Sequence, residues 1–101
     1  MSKKVLLTQR DINKVLKKYT AWNVNKKNTR FSGVFDFDDY ISALAFVARI
    51  SVHAEVLKHH PVIELSYGKV KIHITTHKLK GLTKLDIALL ERINTIVDKG
   101  V

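Results

Sequence analysis

The chain's only proline limits what it can fold into more than any other residue. Pro61 closes the longest periodic apolar segment, DDYISALAFVARISVHAEVLKHH, and disfavours helical geometry at His60. That segment therefore reads as a long helix, opening at Asp38 as N-cap and ending at about His59. Ile41, Leu44, Ala45, Ala48, Val52 and Val56 form one apolar stripe along it. Tyr40, Ala43, Val47, Ile50, Ala54 and Leu57 form a second beside the first. So wide an apolar arc predicts a central helix covered on much of its girth.

The flanking segments supply the rest of a fold. TQRDINKVLKKY has Thr8 and Asp11 at capping-box spacing, with Ile12, Val15, Leu16 and Tyr19 on one face of a first helix. AWNVN and RFSGVFDF alternate like strands around the polar turn KKNT, and Phe31, Gly33, Phe35 and Phe37 share one face. Beyond Pro61, VIELSY and VKIHITT flank Gly68-Lys69, read as a two-residue hairpin turn. GLTKLDIALLERINTIV closes the chain as a helix capped by Thr83, with Ile87, Leu90, Ile93 or Asn94, and Val97 facing inward. The order α-β-β-α-β-β-α predicts an α+β fold, a four-stranded antiparallel sheet with three helices packed on one face. One domain spanning residues 1–101 accommodates it.

Composition narrows the function classes. The absence of cysteine excludes disulfides and thiolate metal sites. No apolar run approaches the roughly 20 residues of a membrane span. The run after the basic dipeptide Lys3-Lys4 is too short for a secretory signal. A soluble, cytoplasmic protein is expected. The net charge of +9 comes mostly from scattered lysines with no nucleic-acid motif, which favours a solvated surface over a nucleic-acid footprint.

All five histidines fall within residues 53 to 77. With Gly68-Lys69 as the turn, Tyr67 lies opposite Val70, Leu65 opposite Ile72 and Ile63 opposite Ile74, an all-apolar face. Extending this pairing sets His60 opposite His77. Glu55, four residues before His59, is expected to meet it on one helical face, where a carboxylate and a helix C-terminus both favour imidazolium. Up to three imidazoles in one place suit acid–base work near neutral pH. Adjacent histidines on a turn are poorly placed to share an ion, so no metal is expected. His53 and His73 fall outside the constellation, and Asp86, three after Thr83, reads as a capping-box acid.

The segment E-x-x-x-H-H-P from Glu55 to Pro61, the T-T-H ending at His77 and the G-L-T-x-x-D ending at Asp86 resemble the signature of the pterin-4a-carbinolamine dehydratases. GVFDFDDYISALAFVARISVHAE is similar to that family's strand and long helix, and Trp22 matches its tryptophan after the first helix. VIELS lacks an aromatic residue that some members carry. The resemblance implies dehydration of 4a-hydroxytetrahydropterin to quinonoid dihydropterin, restoring a cofactor spent by aromatic amino acid hydroxylases. It implies His59, His60 and His77 as catalytic or pterin-binding residues, oriented by Glu55 and Asp86, with Pro61 fixing the exit from the helix. It also implies no cofactor beyond the pterin substrate, no metal, and a homodimer or homotetramer. Some members act instead as dimerisation cofactors of a transcription factor, and divergent relatives serve molybdenum cofactor metabolism. Neither alternative needs all three histidines.

Overall fold

A computed structural model of the chain describes residues 5–99; Lys3 and Lys4 lie outside them. The helices are α1 (Gln9–Lys18), α2 (Tyr40–Leu57) and α3 (Lys84–Asp98). The strands are β1 (Trp22–Val24), β2 (Phe31–Asp36), β3 (Val62–Ser66) and β4 (Lys69–Ile74), with one 3-10 turn at His77–Leu79. The α-β-β-α-β-β-α order is the one expected. Two antiparallel hairpins are joined side by side, so the sheet runs β1-β2-β4-β3.

One face of this sheet carries the core. Phe31 and Phe35 of β2 and Val70, Ile72 and Ile74 of β4 are buried against Ile12 and Val15 of α1, Ala43, Phe46 and Ile50 of α2, and Leu89, Leu90 and Ile93 of α3. Gly33 lets the rings close over the strand: a Cβ would stand 3.0 Å from the Trp22 ring and 3.1 Å from Phe35, closer than most Cβ contacts. Trp22 in turn donates its indole N–H to Asn94 Oδ1 at 2.8 Å, tying β1 to α3.

Local chemistry sets the helix starts. Thr8 and Asp11 form the reciprocal capping box expected of them, as do Thr83 and Asp86. The cap of α2 is Asp39 rather than Asp38: it is extended, and its carboxylate accepts the Ser42 amide three residues on, at 2.7 Å.

Four further expectations are corrected. The helix α2 ends at Leu57, short of His59, because Lys58 adopts the left-handed conformation (φ 52°) and its N–H returns to Ala54 and Glu55. Only one side of α2 is covered: Ile41, Val52 and Val56 are 72%, 62% and 64% exposed, so the first apolar stripe faces away from the core. The inner face of α3 runs through Leu89, Leu90, Ile93 and Ile96, whereas Val97 is exposed. The hairpin turn is Tyr67-Gly68, pairing Ser66 with Lys69, Leu65 with Val70 and Ile63 with Ile72. Gly68, at φ 72°, takes the second central position, and the two-residue shift keeps Ile63, Leu65, Val70, Ile72 and Ile74 on the core face while Tyr67 moves into the turn and is exposed.

Candidate active site

The C-terminal turn of α2 builds the site. After left-handed Lys58, the His59 amide bonds back to the Ala54 carbonyl at 3.0 Å, and the chain leaves through Pro61 into β3. His59 is turned inward and its side chain is 11% exposed. Its Nε2 lies 2.6 Å from Oδ1 of Asp86, a fully buried carboxylate. Oδ2 of Asp86 accepts the Thr83 amide and the Thr76 hydroxyl, each at 2.7 Å, and the two threonine hydroxyls are 2.9 Å apart. A carboxylate accepts, so the ring N–H on Nε2 donates to it, and Nδ1 is the nitrogen of His59 without a hydrogen-bond partner among the described residues.

His60 points the other way. Its Nε2 donates to Oε2 of Glu55, and both side chains are exposed. His77 opens the 3-10 turn, in a loop whose ends, Thr76 and Gly81, are paired backbone to backbone. Gly81 is buried, with the end of the Leu6 side chain resting where a Cβ would stand. The three imidazoles line one shallow pocket of about 280 Å³, whose walls are completed by Lys58, Lys78 and the Thr75-Thr76 pair. Among the described residues, no three His, Asp or Glu side chains converge to hold a metal ion.

The predicted residues thus come together by a different route. Glu55 pairs with His60 and not with His59, because the early end of α2 carries His59 off the helical face. His60 and His77 do not face each other across a ladder, which stops at Val62–His73. Asp86 combines its capping role with contact to His59. Thr76 was not singled out from the sequence, although it shares the inward parity of Val70, Ile72 and Ile74, where a polar residue needs a buried partner. The remaining histidines lie elsewhere: His53 meets Arg92 at 3.2 Å, and His73 bridges Ser32 and Glu64 on the open sheet face at 2.8 Å each.

A sheet with helices on one face, carrying at its rim a pocket of imidazoles held by carboxylates, is equipped to move protons. Residues 5–96 match the family described as Pterin 4 alpha carbinolamine dehydratase. A Nostoc punctiforme protein, provisionally named a pterin-4-alpha-carbinolamine dehydratase, is 37% identical over 90% of this chain and 96% of its own length. A Prochlorococcus marinus protein with the same provisional name is 34% identical over 93% of this chain and 96% of its own. The crystal structure of a transcriptional coactivator/pterin dehydratase from Brucella melitensis superposes with a TM-score of 0.85 at 30% identity, covering 91% of this chain and 98% of that one. A pterin dehydratase-like protein described as a RuBisCO assembly factor of the alpha-carboxysome shares the fold, with a TM-score of 0.63 at 21% identity over 74% of this chain and 87% of that one. The chain belongs to the pterin-4a-carbinolamine dehydratase family.

Proposed function

We propose that this protein eliminates water from 4a-hydroxytetrahydropterin to give quinonoid dihydropterin, as a hydro-lyase in cytoplasmic tetrahydropterin recycling. The observation that carries the reading is the convergence of His59, His60 and His77 on one pocket, two of them held by carboxylates. The reaction breaks the C4a–O bond, protonates the departing hydroxyl and removes a proton from the ring nitrogen. His59 suits the base: Asp86 holds its proton on Nε2, leaves Nδ1 open and stabilises the imidazolium that forms. His60 and His77, at the exposed rim, suit donation to the leaving hydroxyl. Each such proton transfer contributes typically ~10²–10⁴-fold. Asp86, Thr76 and Glu55 are positioning residues, and Pro61 fixes the exit after His60. The chemistry calls for neither metal nor cofactor. Adding the protein to freshly generated 4a-hydroxytetrahydropterin should accelerate quinonoid formation well above the spontaneous rate; no acceleration refutes the proposal.

The exposed stripe of α2 supports self-association as a homodimer or homotetramer. Ile41, Leu44, Val52 and Val56 present an apolar face that the described residues do not cover. The 18 residues of α2 reach the apolarity of a minimal membrane span, with a mean hydropathy of 1.4, yet its opposite side is packed in the core. The same stripe supports a second reading, in which a helical partner docks there and the protein acts as a coactivator. Partner binding would then survive loss of the histidines.

A further inference from the structure

We infer that the histidine pocket selects reduced pterins whose side chain ends in an anion, either a carboxylate or a phosphate. The inference rests on the dehydratase reading and specifies its substrate class. Lysines flank the three imidazoles from two separate segments: Lys58 from the end of α2, and Lys78 from the 3-10 turn. No carboxylate lines the pocket. The two acids that bond the pocket histidines are engaged by them, Asp86 in the buried network under His59 and Glu55 on His60. Among the described residues, neither lysine has a carboxylate partner within ion-pair distance. Both side chains are exposed, so neither ammonium contributes to the core.

Lys58 also occupies a conformation that L side chains adopt only at a cost. Its φ of 52° belongs to the left-handed cap of a helix, a place usually taken by glycine or asparagine. Lys80 caps the 3-10 turn in the same conformation (φ 50°) without lining the pocket, so the left-handed cap sets where the Lys58 ammonium stands, at the pocket lip, and the two flanking cations carry the inference. A neutral pterin side chain would leave both ammonium groups unused. A terminal anion would pair with them and gain from the surrounding positive field.

The test uses three 4a-hydroxytetrahydropterins, alike except for a side chain that is neutral, ends in a carboxylate, or ends in a phosphate. Two solvent-exposed charge contacts should raise kcat/KM for an anionic substrate roughly 2- to 30-fold over the neutral one, through KM. The advantage should shrink as NaCl is raised from low salt to about 0.5 M. The double variant Lys58→Asn/Lys78→Gln should bring the ratio towards one. Asparagine tolerates the left-handed cap, so Lys58→Asn alone should also raise Tm by a few degrees, which separates lost recognition from lost folding. Preference for only the carboxylate or only the phosphate identifies which anion is meant. Equal kcat/KM for all three overturns the inference and leaves the dehydratase reading standing. Turnover of none of them removes both.

Discussion

Replacing Asp86 by asparagine changes little in shape and much in hydrogen bonding. The wild-type carboxylate accepts from His59 Nε2, the Thr76 hydroxyl and the Thr83 amide, all from a fully buried position. The Thr83 N–H can only donate, so an asparagine must turn its carbonyl towards it. Its NH2 group then faces His59 Nε2, which has to become the acceptor, and the ring proton moves to Nδ1. The nitrogen left open to substrate is thereby converted from base to donor. Hydrogen bonds to a charged acceptor are worth about 1.5–3 kcal/mol and neutral ones about 1, so three bonds put the stability loss at roughly 1.5–6 kcal/mol. In a domain of this size that lowers Tm by about 7–30 °C, so the rate is read on protein whose thermal transition shows it folded at the assay temperature. The rate should fall by about 10²–10⁴-fold, beyond what a partly loosened site would lose. Stopped-flow dehydration at 25 °C reads the rate, and nitrogen NMR of the imidazoles reads the tautomer. An Asp86→Asn variant with near-wild-type turnover, or with the His59 proton still on Nε2, would refute the reasoning.

The other perturbations test separate parts of the account. Ile41→Asp and Val52→Asp change exposed positions of α2, so each should reduce the assembled mass seen by light scattering without unfolding the chain; a wild-type protein that is monomeric at micromolar concentration contradicts the proposed assembly. The backbone and side-chain bonds of Ser42 hold the Asp39 carboxyl below its ordinary value of 3.8. A lowered folded value means that the stabilisation is full above 3.8 and fades as the pH falls through the folded value. Asp39→Ala should therefore lower Tm at pH 7 and by less in strong acid; a deficit independent of pH counts against the cap. Dialysis against a strong chelator should leave activity and Tm unchanged, and a fall in either contradicts metal-free chemistry.

What was legible in the sequence is mostly what local chemistry decides. Two capping boxes, the exclusion of Pro61 from α2 and the alternating faces of the strands all follow from neighbours a few residues apart. The turn was misplaced because Gly68 fits either central position, and a two-residue shift leaves the apolar parity intact. The end of α2 was overextended because a left-handed lysine has no sequence signal; glycine at position 58 would have announced it. That one conformation also explains why Glu55 was assigned to the wrong histidine. The His59–Asp86 contact joins residues 27 apart and depends on how α3 packs, which no periodicity reports. Periodicity likewise shows that α2 is apolar on two sides, but not whether the second side is covered by this chain or by another.

The central claim is that three imidazoles from two segments form one proton-transfer site, while the other two histidines do not belong to it. Dehydration of 4a-hydroxytetrahydropterin by five single alanine variants, each confirmed folded by its thermal transition, tests this directly. His59→Ala, His60→Ala and His77→Ala should each lower kcat/KM by at least about tenfold. The double variant His60→Ala/His77→Ala should lose less than the product of its single losses, as expected of groups that act together. His53→Ala and His73→Ala should stay close to wild type. Full activity in the first three variants, or equal losses across all five, would contradict the account.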